Sequence, residues 1–297
     1  MAAPVSSSAP HTGPVESAGR VESTSNRRAP APQRARARAD RRTRLYRVIS
    51  WLSPLAVFVV WELLCRAGVI ERRILPAPSE VLESGRKLAA SGELWRNLRV
   101  SLRRVLVGFT IGTLVGVSLG ILVGFSRFAD AMIDRTVQMV RAVPFLAITP
   151  LVIVWFGVGE SGKIFLIALA ATFPVYLNTV LGIRQVDPKL IDMSRVAGLK
   201  GFSLVRETIL PGALPSVLNG VRLGLTYCWL ALVIAETLGA SAGIGFMATN
   251  AREFLQTDIV VLVILLYAGI GVGCDLIARQ LERRLLSWHP SYGRRTR

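Results

Sequence analysis

Apolar residues in this chain gather in blocks too long for soluble helices. The clearest, Val105 to Ser126, holds 22 residues without a charge. As a helix it would rise roughly 33 Å, enough to cross a bilayer core. The same pattern marks spans at about 48–69, 142–157, 164–182, 217–235 and 259–278. The block at 142–157 has an amphipathic lead-in, Met132 to Arg141, and contains Pro144 and Pro150. The fourth block contains Pro174 and Asn178. Proline is tolerated in membrane helices where neighbours re-satisfy the freed carbonyls. The pattern predicts an all-α membrane protein of about six transmembrane helices. The membrane domain covers 47–285 and is flanked by polar segments.

Those flanks change the picture little. Residues 1–46 are rich in Pro, Ser, Ala and Arg and cannot bury enough apolar surface to order themselves, so a disordered basic tail is expected. Arg41 and Arg42 precede an apolar run, but that run is long, carries Glu62 and lacks a small-residue cleavage site, which argues against a cleaved export signal. Residues 286–297 form a second basic tail.

Charge then orients the bundle. The net charge is +17. In a soluble protein that would suggest nucleic acid; between membrane spans it reports topology, and no nucleic-acid partner is expected. With both termini inside, 23 Lys and Arg fall on the inner side and 10 on the outer, in accord with the positive-inside rule. Eight of those ten lie within 70–104 and blur the contrast. The expected location is a bacterial inner membrane, with both termini cytoplasmic; the basic run Arg34 to Arg47 reads as a signal that keeps the N-terminus inside, with contact to anionic lipid as the alternative.

Candidate chemistry is sparse. Cys65, Cys228 and Cys274 have no metal or disulfide spacing, and His11 and His289 lie in polar tails. No catalytic constellation, metal site or cofactor is expected. The run Gly157-Val-Gly-Glu-Ser-Gly-Lys163 has the glycines and lysine of a phosphate-binding loop, but Ile164 stands where Ser or Thr would hold magnesium. A short turn between two helices is expected instead. Gly108, Gly112, Gly116, Gly120 and Gly124 put a glycine every four residues on one helix face, a spacing that lets backbones approach closely in lipid. Arg141, Arg222 and Glu236 fall within or at the ends of spans, where a charge needs a reason. With Asn178 they are the candidate lining of a translocation pathway. Arg141 and Arg222 are expected near the inner ends of their spans, and Glu236 near an outer end within reach of water.

The polar stretch 183–212 carries the most information. Ile191, Val196 and Leu199 suggest a short amphipathic helix that Gly198 or Gly201 would end, followed by a second from about Ser203 that stops before Pro211. This elbow resembles the conserved cytoplasmic loop of permease subunits in ATP-binding-cassette (ABC) importers: Glu-Ala-Ala, three residues, Gly, nine residues, then Ile-x-Leu-Pro. Asp192 stands at the Glu, Met193 and Ser194 at the alanines, Gly198 at the Gly, Thr208 at the Ile, and Leu210 and Pro211 match. The stretches Ile74-Leu-Pro-Ala-Pro78, Ser91 to Trp95, Pro150 to Gly157, and Glu236 through Asn250 to Asp258 are similar to the aliphatic sulfonate permeases of the sulfonate, taurine and nitrate group.

The resemblance implies the type I ABC importer permease fold, with 183–212 as a helix-turn-helix coupling loop. It implies a pore of two permease chains forming a homodimer, cytoplasmic ABC ATPase subunits that grip the loop at Asp192, Met193, Ser194, Gly198, Leu210 and Pro211, and an extracytoplasmic substrate-binding protein. ATP would be hydrolysed on the partner, so the chain itself is not expected to be an enzyme. A stand-alone secondary transporter is the competing expectation, but it leaves the elbow unexplained.

Overall fold

The computed structural model describes residues 52, 55–71, 73–237 and 239–288, with backbone alone for Phe145 and Leu146. The expected tail 1–46, the start of the first span and the end of the basic tail lie outside the described residues. Contacts divide the chain after Ala56, and Val57–Arg297 is the second of two units. The second carries all the architecture below.

The described residues form helices and turns, without a strand. In order these are α1 (57–66), α2 (Pro78–Ala90), α3 (Glu93–Phe125), α4 (Arg127–Ala142), α5 (Phe145–Phe156), α6 (Glu160–Arg184), α7 (Pro188–Val196), α8 (Gly201–Thr237), α9 (Ile244–Glu253) and α10 (Thr257–Leu285). Four of them, α3, α6, α8 and α10, are long and apolar enough to cross a membrane. The bent pair α4–α5 makes a fifth if it counts as one span.

That bend is where structure and sequence part. The apolar block 142–157 reads as one span. The chain instead turns by 106° between α4 and α5. Val143 precedes Pro144 and is extended, at φ −74° and ψ 124°, because the proline ring crowds the helical conformation of the residue before it. The 12 residues of α5 rise only about 18 Å, short of a core roughly 30 Å thick. The segment before the bend, which sequence shows only as an amphipathic lead-in, is helical as α4.

Helix α6 is the hub. Its small residues Ala168, Ala170 and Ala171 are buried, and α3 packs parallel to it along the glycine column. A Cβ placed on Gly108 would lie 2.7 Å from Ile167 Cγ2, and one on Gly116 would lie 2.8 Å from Thr172 O. At Gly112 the obstacle is the Ala168 carbonyl itself. Gly120 and Gly124 face Thr179 and Ile183 in the same way. Helix α8 runs antiparallel on the other side, where Gly220 meets Pro174 and Asn178, and Gly224 meets Val175 and Ala171. Val105, Ile167, Ala171, Cys228, Trp229 and Leu232 fill the core between the three helices. In lipid such contacts rest on close fit, since apolar surface gains little by leaving lipid for protein.

The other elements attach to this sandwich. Asp130 pairs with Arg184 at 2.6 Å, and Asp134 accepts from the Tyr176 hydroxyl at 2.7 Å. These bonds lay α4 alongside α6 from its Arg184 end. Glu62, the acid inside the first apolar block, accepts from the Ser79 backbone N–H at 3.1 Å and from the Ser79 hydroxyl at 2.9 Å. It thereby supplies an acceptor to the unsatisfied first turn of α2, which opens with Pro78. Ser84 on α2 donates to Asp258 at the start of α10.

Candidate functional site

The elbow lies beyond the Arg184 end of α6. Asp187 caps α7 by accepting from the Lys189 N–H at 2.9 Å, and Pro188 opens the helix. The helix stops at Gly198, whose φ of +92° suits a residue without a Cβ; the Leu199 N–H then closes on the Ser194 carbonyl at 3.0 Å. Asp192 pairs loosely with Arg195 at 3.4 Å, and the Thr208 hydroxyl donates to Ser194 Oγ at 2.8 Å, tying the two arms together. No residue of α7 is buried. Val196 is 91 % exposed and Phe202, across the turn, 78 %. Met193 and Leu190 are exposed beside them.

The second arm differs from the sequence expectation. It begins at Gly201 and does not stop before Pro211, but runs on into α8 as far as Thr237. A π-helical turn at Val205–Ile209 makes this possible. The widened turn relieves the clash between the Pro211 ring and the preceding turn, so Leu210 and Pro211 become part of one continuous lever.

At the opposite end of the bundle, Arg104 on α3 gathers a buried polar cluster. Its Nη1 donates to Glu236 Oε1 at 2.7 Å and to the Ala242 carbonyl at 2.7 Å. Its Nε and Nη2 hold both carboxylate oxygens of Glu160 at the start of α6. Glu236 also accepts from the Ser101 hydroxyl at 2.6 Å and the Gly245 N–H at 2.7 Å, while Asn97 accepts from the Gly243 N–H at 2.9 Å. Arg104 is 2 % exposed and Glu236 1 %. Glu236 thus does not sit in water: it pins the glycine-rich turn after α8 to α3. Lys163 is also committed, donating to the carbonyls of Val158 at 2.9 Å and Gly159 at 3.3 Å. The glycine run that imitates a phosphate loop is a three-residue turn between α5 and α6, with its lysine bound to its own backbone.

Arg222 on α8 pairs with Asp275 on α10 at 2.7 Å, and Asp275 also accepts from Arg279 at 2.7 Å. Glu282 lies 3.9 Å from Arg222. Asn178 donates to the Pro174 carbonyl at 2.8 Å and accepts from Asn219 on α8 at 3.0 Å. Arg141 is elsewhere. It lines a cavity of about 330 Å³ with Ile148, Phe173, Pro174, Leu177 and Tyr227. The four candidate pathway residues therefore separate: Arg141 and Asn178 flank one region of α6, Arg222 is tied to α10, and Glu236 is locked at the far end.

Sequence reasoning missed two partners. Arg104 was one basic residue among eight in the crowded 70–104 segment, and nothing local marked it. Asp275 could have been found, because it is the one acid inside the 259–278 block and so a natural partner for Arg222.

Comparisons with known proteins agree with this architecture. Residues 112–287 match the family model described as the binding-protein-dependent transport system inner membrane component. The chain is 52 % identical to the aliphatic sulfonates transport permease protein SsuC of Escherichia coli K12, over 84 % of this chain and 94 % of that protein. It is 44 % identical to the protein of the same name from Bacillus subtilis 168, over 81 % and 87 %. To the taurine transport system permease protein TauC of E. coli K12 it is 37 % identical, over 80 % and 89 %. Among solved structures, a chain of the MetNI methionine ABC transporter in an inward-facing conformation superposes with a TM-score of 0.52 at 22 % identity, covering 63 % of this chain and 95 % of that one. A chain of an amino acid ABC transporter gives 0.56 at 19 %, covering 63 % and 92 %. The chain belongs to the family of binding-protein-dependent transport system inner membrane components, and it is a multi-pass membrane permease with the all-helical fold of type I ABC importers.

Proposed function

We propose that this chain forms the membrane pathway of an ABC importer for an aliphatic sulfonate, driven by ATP hydrolysis on a separate cytoplasmic subunit. The observation that carries the reading is the elbow: a short helix with no buried residue that exposes Met193 and Val196, tied through Ser194 and Thr208 to an arm that exposes Phe202 and continues into the core helix α8. The sulfonate itself rests on the similarity to the two permeases named for it.

In this reading the elbow is cytoplasmic and the Arg104–Glu236 cluster faces outward, as the distribution of Lys and Arg supports. ATPase subunits grip the surface around Asp192, Met193, Ser194 and Gly198. Their closure moves α7 and the first arm of α8 as one lever through Leu210 and Pro211, and the core helices rock between inward and outward openings. A binding protein delivers substrate to the outer face, and a second copy of this chain completes the pore. Charge on the spans divides by role: Arg222 and Glu236 hold helices together, and Arg141 and Asn178 lie on the path.

The test is made in the native host with its own partner subunits. Deleting the gene should abolish uptake of radiolabelled ethanesulfonate, and the wild-type chain should restore it. Gly198→Pro should fold, lose the ATPase subunit on copurification and fail to restore uptake. Uptake that persists when no ATPase copurifies, and that collapses with an uncoupler, would sink the proposal.

A further inference from the structure

Three arginines on α6 and the helices packed around it are held by acids. Arg104 has Glu160 and Glu236, Arg184 has Asp130, and Arg222 has Asp275. Among the described residues Arg141 makes no hydrogen bond or ion pair. Its place makes this costly. The α6 residues that share its cavity, Ala170, Phe173, Pro174 and Leu177, all lie within about 8 Å of the midpoint of that 25-residue helix. The same neighbours correct the expectation that Arg141 sits near the inner end of its span: α4 climbs beside α6 and delivers Arg141 to mid-depth before the bend at Pro144. A lone charge at the middle of a bilayer costs several kcal/mol on insertion scales, so it faces water or a ligand.

The cavity has the chemistry of a receptor. Arg141 is its one charged group, and Tyr227, half exposed and without a partner for its hydroxyl among the described residues, is a second donor. The other walls, Val143, Ile148, Phe173 and Leu177, are apolar. One turn beyond Pro174 the Asn178–Asn219 pair continues the polar line toward the elbow. Open lipid would leave the guanidinium unsolvated, whereas the second copy of the chain in the proposed pore would shield it from lipid.

We infer that Arg141 and Tyr227 form a midplane binding site for a monoanion with a short apolar tail, so that the permease itself selects its cargo by charge. A guanidinium presents paired N–H donors to two oxygens of a tetrahedral anion. The tyrosine hydroxyl donates to the third oxygen, and the alkyl chain lies against Phe173, Ile148 and Leu177. The volume suits one small organic ion. This deepens the proposed function and rests on it for the identity of the anion as a sulfonate.

The test uses the full chain in lipid nanodiscs and needs no partner subunit. Saturation-transfer NMR measures binding of pentane-1-sulfonate and of its neutral analogue methyl pentyl sulfone. The wild type should bind the sulfonate saturably and the sulfone at least about tenfold more weakly, the scale of one charged hydrogen-bond pair. Arg141→Gln should lose about tenfold or more for the sulfonate alone, Arg141→Lys less, and Tyr227→Phe several-fold. Arg141 has no partner to orphan, and Tyr227 lies on a different helix, so a folding defect in one variant leaves the other informative. Equal affinity of Arg141→Gln and wild type, equal affinity for sulfone and sulfonate, or no binding by a folded wild type would each overturn the inference. Binding that depends on Arg141 in a chain whose host takes up no sulfonate would leave this site standing and remove the sulfonate importer reading.

Discussion

The two ends of the bundle are built on opposite principles. At the Glu160 end, Arg104, Glu236, Ser101, Asn97 and the backbone of residues 242–245 satisfy one another in a buried network. At the Arg184 end, α7 buries nothing and exposes Leu190, Met193 and Val196. The first end spends its polar groups inward and holds three helices and a turn in one arrangement. The second leaves the surface of the elbow open and holds its two arms through the Thr208–Ser194 bond and the unbroken run from Gly201 to Thr237. A transporter driven from one side needs this asymmetry: force applied to a loose end is useful only if the far end of the same helix is anchored.

The largest effect should come from breaking the anchored end. Glu236→Leu leaves buried Arg104 with Glu160 as its one acid and strands the Ser101 hydroxyl and Gly245 N–H. Losing one member of a buried pair costs about 3–5 kcal/mol. The expected outcome is a large drop in the midpoint of thermal unfolding in detergent, read by tryptophan fluorescence, and poor recovery from the membrane. Arg104→Met combined with Glu236→Leu removes both charges and should recover part of the loss. If the double variant is no better than Glu236→Leu, the cost lies in packing and not in the uncompensated charge.

Next in size is the contrast between two sets of glycines. On α3 each glycine of the column touches α6, and at Gly112 the neighbour is a backbone carbonyl that cannot turn aside. Gly112→Val should overpack that contact by about 1–3 kcal/mol and lower the midpoint accordingly. On α10, Gly269, Gly271 and Gly273 meet nothing within 4 Å. Gly271→Ala should leave unfolding unchanged or raise its midpoint slightly, since alanine is the better helix former. A strong loss at Gly271 would show that α10 buries this face against something outside the chain, and crosslinking from Cys at 271 would then identify a second copy.

How much of this was legible beforehand follows from what a one-dimensional pattern can carry. Four long helices, the glycine face and the Gly198 stop were visible because each depends on residues close in sequence. The same holds for the false phosphate loop, betrayed by Ile164. The α4–α5 bend was half visible: Pro144 was plain, but a lead-in with polar residues every few positions does not announce that it lies along α6. Partners more than a hundred residues apart were hidden. Nothing near Ser101 or Arg104 points to Glu236, and so an acid at a helix end read as solvated. Arg141 was noticed as a charge out of place, but its depth is set by Asp130 and Asp134 anchoring α4 to α6, a register no local pattern encodes. Pro211 misled for a physical reason, because a π turn rescues a proline that an α turn would reject.

The smallest effect on stability should coincide with the largest on coupling. Val196 is the most exposed apolar residue of the elbow and touches no core. Val196→Asp should therefore change the unfolding midpoint by no more than about 0.5 kcal/mol equivalent, as surface substitutions do. The same change puts a charge into the centre of the surface assigned to the ATPase and would have to be desolvated there, so copurification of that subunit should fall sharply. Phe202→Ser, across the turn at Gly198, should act in the same direction because it too removes an exposed apolar side chain of the elbow. Arg195→Ala is the control, since it removes only a loose exposed pair with Asp192. An ATPase subunit retained fully by both apolar variants would mean that the partner grips another face. The open end would then be a lever without a hand on it at that point, and the difference between the two ends would reflect stability alone.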